Sequence, residues 1–175
     1  GTMVPLYFID QVYNDYKLVR ISLSGLPYST HYSLGKCIAE AAEQTGRRTV
    51  IVASGDLSHK LKEDGPYGYV KEGPEFDREV TEAMAKGDFL RFMTLEDNLC
   101  EAVAECGLRS FIIMSGALDG KAVKPELLSY QGTFGVGYAV ACFEITGEDP
   151  ERHFDAEYEK LENDNISIVR SRESE

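Results

Sequence analysis

The order of strand, helix and strand near the start of this chain most constrains its fold. Residues 16–23 alternate and are rich in β-formers, and residues 34–42 carry apolar side chains at helical spacing before Gly46. Residues 49–53 then predict a buried strand. Because a helix of this length can cross between parallel strands, we expect an α/β fold with a mixed, partly parallel sheet flanked by helices.

The rest of the chain adds a loop, helical patterns and late strands. Residues 60–73 contain three glycines, Pro66 and two tyrosines, which is typical of a loop lying across a site. Helices are predicted over 74–87, 95–103 and 108–119, and strands over 126–130 and 135–143, where the two strands are positioned to pair as a hairpin.

Composition excludes several classes of partner. The chain has 175 residues, of which 18 are basic and 30 acidic, with a net charge of −12. That field repels nucleic acid, so we expect no nucleic-acid partner. No apolar run approaches the roughly 20 residues needed to cross a bilayer, and the start lacks the features of a signal peptide. We therefore expect a cytoplasmic protein without a membrane partner.

The four cysteines are widely separated, and no pair has the C-x-x-C spacing of a zinc or redox motif. Free thiols in a reducing compartment are therefore expected. The residues are Cys37, Cys100, Cys106 and Cys142.

His59 is the main candidate for catalysis. It follows the predicted strand at 49–53, and open α/β sheets place their chemistry beyond the carboxyl ends of strands. A neutral imidazole there can accept a proton from a substrate hydroxyl, and Asp56 could orient it. The alternative is a surface histidine in a polar turn that Asp56 caps. His31 and His153 are assigned structural roles.

Glu105 and Cys106 form a second candidate position, where one helical pattern ends and the next begins. At a helix start a carboxylate is favoured and the pKa of a thiol falls, so either side chain could bind a metal or react. The alternative is a carboxylate at a helix start beside a buried thiol.

Several sequence blocks resemble one known superfamily. Residues 54–61 read Ser-Gly-Asp-Leu-Ser-His-Lys-Leu, and further blocks follow in order. This set resembles the LigB-type class III extradiol ring-cleavage dioxygenases, which also include the Memo proteins, over residues 1 to about 145. It is most similar to the branch called AmmeMemoRadiSam system protein A or B. The other blocks are residues 1–6, 105–109, 116–118 and 135–139.

The resemblance implies a site chemistry. In these dioxygenases non-haem Fe(II) is held by two histidines and one glutamate, with open positions for a catechol and oxygen. His59 matches the histidine that acts as acid and base. Glu105 matches the glutamate ligand, and Cys106 competes for that position because Memo proteins place a cysteine near it.

The resemblance also implies a partial domain, incomplete at its amino-terminal side. Residues 1–146 correspond to the carboxy-terminal part of a LigB-like domain and residues 147–175 to a charged tail or linker. The two ligand histidines and a further site histidine before Gly1 belong to the other part. Fe(II) or another divalent metal would need ligands absent from this chain, so an amino-terminal half or a complementary chain is expected as partner, in an oligomer.

Two functions follow from the resemblance. The first is a metal-dependent dioxygenase or oxidoreductase acting on a small phenolic or oxidisable substrate. The second is a non-catalytic Memo-like binding or scaffold module that works with a radical SAM protein or an AMMECR-type domain. Oxygen uptake by the complete domain would distinguish them, and a cysteine at the ligand position would favour the second.

Overall fold

The computed structural model describes residues 1–161 and residue 163. None of the described helices is long and apolar enough to span a membrane. The elements, in chain order, are α1 (Met3–Ile9), α2 (Tyr28–Thr45), α3 (Glu72–Lys86), α4 (Phe89–Met93), α5 (Asp97–Val103), α6 (Leu108–Ala117), β1 (Lys121–Gln131) and β2 (Tyr138–Glu148), and residues 154–161 are also helical.

The predicted helices are confirmed, although their ends differ from the prediction. Gly46 ends α2 with a φ of 61°, and Gly87 ends α3 with a φ of 66°. Both are left-handed backbone conformations that glycine adopts without a steric penalty, so the two predicted helix stops are confirmed. Helix α2 begins at Tyr28, earlier than its apolar pattern indicates, and the short helices α1 and α4 were not predicted.

Helices α2 and α6 pack at very short range because each has a glycine at the crossing. A Cβ atom at Gly35 would lie 2.0 Å from the carbonyl oxygen of Ile113, and one at Gly116 would lie 2.0 Å from that of Tyr32. The two backbones therefore touch, as they do where small residues line a helix contact. This contact lies near the carboxyl end of α6 and holds that helix against α2.

Strands β1 and β2 form an antiparallel hairpin, as predicted. Alternate side chains of β2, at Ala139, Ala141 and Phe143, pack against the core, as the two-residue period of a strand requires. The α/β class, with helices flanking a sheet, is confirmed. The sheet of the described residues is two-stranded and antiparallel.

Two predicted strands are corrected by the structure. Residues 16–23 and 49–53 are irregular, and neither segment shares a backbone hydrogen bond with another described residue. Val19 is 82% exposed and Val50 is 87% exposed, so residues 49–53 are not the buried strand that their apolar pattern predicts. The physical reason is that a strand needs a neighbouring strand to pair its N–H and C=O groups, and no described residue provides one.

The segment after β2 is bound to the body of the domain. Arg152 donates a hydrogen bond from Nη2 to the carbonyl oxygen of Gly87 at 2.6 Å, and its guanidinium lies over Phe89 at 4.6 Å and over Phe154 at 5.1 Å. Lys36 pairs with Asp155 at 2.7 Å. Residues 149–161, part of the predicted charged tail or linker, therefore pack on the core. Residues 162 and 164–175 of that predicted tail lie outside the described residues.

Arg152→Ala is expected to release this segment. Removing the guanidinium loses one hydrogen bond and two cation–π contacts, which together predict a loss of about 1–2 kcal/mol in the free energy of unfolding. Urea denaturation measures this loss, and limited proteolysis reports cleavage after β2. Arg47→Ala, at an exposed arginine, is the matched control. Equal proteolysis of the two variants would contradict the expectation.

Candidate functional site

The segment that carries His59 is held from two sides by backbone hydrogen bonds. Leu57 donates to the carbonyl oxygen of Gly137 at 2.9 Å, and Gly137 donates to that of Ser58 at 2.8 Å. From the other side, the His59 N–H donates to the carbonyl oxygen of Val103, at the end of α5, at 3.0 Å. The segment is therefore fixed between the hairpin and α5 although it has no regular secondary structure.

Three potential ligand side chains meet at this segment. The imidazole Nε2 of His59 lies 3.3 Å from Oδ2 of Asp56 and 3.8 Å from the sulfur of Cys106. One ligand atom from each of the three residues lies within 4.8 Å of the other two. A carboxylate, an imidazole and a thiol at this separation can handle a proton or contribute to holding a metal ion.

Reciprocal hydrogen bonds join Cys106 to Asp56. The Asp56 N–H donates to the Cys106 sulfur at 3.2 Å, and the Cys106 N–H donates to the carbonyl oxygen of Asp56 at 3.2 Å. Burial raises the pKa of the Cys106 thiol, and the hydrogen bond from Asp56 opposes that rise. These bonds fix the sulfur beside the imidazole.

Two glycines permit this close approach. A Cβ atom at Gly55 would lie 2.3 Å from Cα of Gly107 and 2.7 Å from the carbonyl oxygen of Cys106. Because those atoms belong to the backbone, they cannot move aside as a flexible side chain would. The absence of a side chain at Gly55 is therefore what allows the His59 segment to contact the segment before α6.

Glu105 contacts the backbone at the start of α6, whereas Cys106 lies beside His59. Its Oε2 accepts a hydrogen bond from the N–H of Leu108, the first residue of α6, at 2.7 Å. Burial raises the pKa of the Glu105 carboxyl, while this hydrogen bond and the charge of Arg109 oppose the rise. The carboxylate thus satisfies a free backbone donor at the helix start, where negative charge is also favoured.

A cavity of about 340 Å³ lies beside the site. Glu105 and Cys106 both line it, so the two predicted ligand candidates share one hollow. Arg109 also lines it, with its guanidinium 5.2 Å from the ring centre of Tyr28 and its Nε buried without a hydrogen-bond partner among the described residues. The other lining residues are Leu23, Ser24 and Gly25.

The loop over residues 60–73 contacts the site through one aromatic ring. Tyr67 stacks on the imidazole of His59 with ring centres 5.1 Å apart, although the tyrosine is 59% exposed. The loop is anchored where Leu61 pairs with Tyr69. A loop position across the site therefore agrees with the glycine- and proline-rich pattern that predicted it.

The other histidines and the remaining cysteines lie elsewhere. His31 is buried on α2, where its Nδ1 lies 3.0 Å from the carbonyl oxygen of Pro27, and the Nδ1 of His153 lies 2.9 Å from Asp119. All four cysteines are free thiols, as predicted. Among the described residues, His59 is therefore the histidine available to this site.

Asp77 is a residue near this site that the sequence analysis did not single out. It is 1% exposed on α3 and accepts a hydrogen bond from the N–H of Ser58, the neighbour of His59, at 2.8 Å. A signal was present in the sequence, because an aspartate falls on the buried face of α3. That face comprises Gly73, Phe76, Asp77, Val80, Ala83 and Met84.

In this α/β domain, a carboxylate, an imidazole and a thiol meet at a loop. Such a cluster can handle a proton or contribute to holding a metal ion. Residues 1–141 match the family model described as the catalytic LigB subunit of aromatic ring-opening dioxygenase. This chain belongs to the LigB family.

Three known proteins are similar to this chain in sequence. The chain is 41% identical over 152 residues to protein CA_C1420 of Clostridium acetobutylicum, covering 87% of this chain. It is 30% identical over 158 residues to the 2-aminophenol 1,6-dioxygenase beta subunit of a Pseudomonas species, covering 80% of this chain. It is 26% identical over 150 residues to a MEMO1 family protein of Archaeoglobus fulgidus, covering 81% of this chain.

These relatives are longer than this chain. The matched region makes up 32% of the Clostridium protein, 52% of the Pseudomonas subunit and 54% of the Archaeoglobus protein. The chain therefore spans between about a third and a half of the relatives it matches.

Proposed function

We propose that this chain supplies one side of the active site of a metal-dependent LigB-type oxygenase that acts on a small phenolic or aminophenolic substrate. The convergence of Asp56, His59 and Cys106 within 4.8 Å carries this proposal. The name of the Pseudomonas relative, a 2-aminophenol dioxygenase subunit, supports the substrate class. Ring opening for this chain is inferred from that likeness, since one fold hosts several chemistries.

We assign His59 the role of acid and base and Asp56 that of its orienting partner. The carboxylate at 3.3 Å from Nε2 can fix the orientation of the imidazole, so that His59 can take a proton from a substrate hydroxyl. Tyr67, stacked on the same ring, limits the directions from which water or substrate can approach it.

The donor set fits a divalent metal only in part. The two histidine ligands expected for Fe(II) belong to the amino-terminal part, so this chain offers one ligand position, for which the Glu105 carboxylate and the Cys106 sulfur compete. We assign Cys106, rather than Glu105, as the ligand from this chain, because Glu105 is engaged by the α6 backbone. A bound Fe(II) would supply oxygen activation.

The remaining ligands are proposed to come from an amino-terminal LigB segment or a complementary chain. Gly1 lies beside the His59 segment, because its carbonyl oxygen accepts a hydrogen bond from the Ser54 hydroxyl at 3.4 Å. The exposed apolar residues 16–23 and 49–53 offer the amino-terminal segment a surface to cover.

A second candidate function is a Memo-like binding module without oxygenase activity. It is favoured by one observation, the position of a cysteine beside His59, and by the MEMO1 family relative. Its partner would be a radical SAM protein or an AMMECR-type domain, as in the AmmeMemoRadiSam branch.

The test is oxygen uptake after anaerobic loading with Fe(II), using catechol and 2-aminophenol and this chain joined to an amino-terminal LigB segment. His59→Ala is expected to lower turnover at least about 100-fold, because general acid–base catalysis contributes that much, while bound iron is retained. His153→Ala, a histidine paired with a carboxylate outside the site, is the control. An iron-loaded parent that consumes no oxygen with either substrate would refute the oxygenase and favour the binding module.

A further inference from the structure

A buried carboxylate behind the His59 segment has no role in the chemistry proposed above. Asp77 lies on the core-facing side of α3, one residue after Phe76 and three before Val80, and is 1% exposed. Apolar side chains fill the rest of this face. A carboxylate at such a position is costly unless its oxygens are hydrogen-bonded.

Both oxygens of Asp77 accept hydrogen bonds from separate parts of the chain. Oδ1 accepts from the Ser58 N–H at 2.8 Å, and Oδ2 accepts from the Tyr130 hydroxyl at 2.7 Å. Gly137 packs directly on the carboxylate, since a Cβ atom there would lie 1.9 Å from Oδ2. One side chain of α3 therefore connects the His59 segment to β1 and to the residue that precedes β2.

The direction of these bonds favours an acceptor at position 77. Ser58 is 0% exposed, so its N–H would be left without a partner if Asp77 were replaced by an apolar side chain. The backbone of His59 is bonded on its other side to Val103. The imidazole is thus carried by a backbone that is fixed at residue 58 by α3 and at residue 59 by α5.

We propose that Asp77 is a positioning residue, which acts through Ser58 to hold the imidazole of His59 beside Asp56 and Cys106. Its consequence for turnover rests on the function proposed above. Its consequence for the geometry of the cluster does not, because the hydrogen bonds of Asp77 involve residues 58 and 130 rather than the ligand side chains. Burial raises the pKa of the Asp77 carboxyl, and the hydrogen bonds from Ser58 and Tyr130 oppose the rise.

The experiment compares Asp77→Ala with the conservative Asp77→Asn in the 175-residue chain. Asparagine keeps an acceptor for the Ser58 N–H, and its amide group can donate to the Tyr130 oxygen, so Asp77→Asn is expected to rescue the site. Val80→Ala is the matched control, since it shortens a buried side chain one turn along the same helix face, without touching Ser58.

Two readouts need no metal. In the metal-free chain, Asp77→Ala is expected to shift the nuclear magnetic resonance signals of the His59 ring and to change the alkylation rate of Cys106 severalfold, measured by peptide mass spectrometry. Asp77→Asn and Val80→Ala are expected to stay near the parent in both. An Asp77→Ala variant with the same ring signals and alkylation rate as Val80→Ala would overturn the proposal.

A turnover readout links the proposal to function. In the iron-loaded chain joined to an amino-terminal LigB segment, Asp77→Ala is expected to lower turnover about tenfold while bound iron is retained, because a displaced His59 is a poorer acid and base. If the joined parent shows no turnover, the proposed function fails, while the metal-free readouts still decide the role of Asp77. If Asp77→Ala does not fold, Tyr130→Phe, which removes only the bond to Oδ2, is expected to shift the His59 signals partway, and unchanged signals would overturn the proposal.

Discussion

In a Co(II) titration of this chain joined to an amino-terminal LigB segment, Cys106→Ser is expected to weaken binding on the order of 100-fold, because loss of a direct ligand costs at least as much as loss of a group that orients one. Thiolate is the one soft donor among the three converging side chains, so the sulfur-to-metal absorption of the complex should also disappear. Serine keeps nearly the same size, which limits the change to the donor atom.

Glu105→Gln provides the contrast. Glutamine retains an oxygen that can accept the Leu108 N–H, so the start of α6 should stay intact. Glu105→Gln removes the charge but keeps the hydrogen bond to Leu108. The affinity for Co(II) is therefore expected to stay within about threefold of the parent, because this change costs less than the loss of a direct ligand. A large loss in Glu105→Gln with normal binding by Cys106→Ser would assign the ligand to Glu105 instead.

Gly55→Ala is expected to lower the free energy of unfolding by about 3 kcal/mol, the upper end of the usual cost of overpacking. The new methyl group would lie 2.3 Å from Cα of Gly107, a contact that only a backbone shift can relieve. The shift would separate Asp56 and His59 from Cys106. Urea denaturation measures the loss of stability, and alkylation of Cys106 measures the change at the site.

The control for this substitution is Gly147→Ala. A Cβ atom at Gly147 meets no described atom within 4 Å, so the same chemical change near the end of β2 should alter stability by less than about 0.5 kcal/mol. If Gly55→Ala and Gly147→Ala have the same unfolding midpoint, the close contact between the His59 segment and the α6 start does not limit this fold.

Sequence patterns predicted the helix stops and the hairpin because these features depend on residues that are close together in the chain. Helix stops at Gly46 and Gly87 follow from a backbone conformation that glycine alone adopts easily. The hairpin follows from alternating strands separated by a short glycine-bearing turn. Strands at 16–23 and 49–53 could not be decided in this way, because strand formation depends on a neighbour that a sequence pattern does not reveal.

In the candidate site, too, some contacts can be predicted from the sequence and others depend on the tertiary structure. Asp56 and His59 are three residues apart, so their proximity could be expected from the sequence. Cys106 is 47 residues from His59, and only the tertiary structure brings its sulfur beside the imidazole. A shift of one residue at a helix start turns a side chain to another direction, which periodicity cannot resolve.

The sequence by itself determined the α/β class, the helix stops at Gly46 and Gly87, the hairpin, the free thiols and the likeness to the LigB family. The tertiary structure decided which side chains share a space: the sulfur of Cys106 beside His59, the carboxylate of Glu105 on the α6 backbone, and Asp77 behind Ser58. The reason is physical. Propensity and periodicity act over a few residues, whereas contacts between distant segments depend on how closely two backbones approach, here through Gly55 and Gly107.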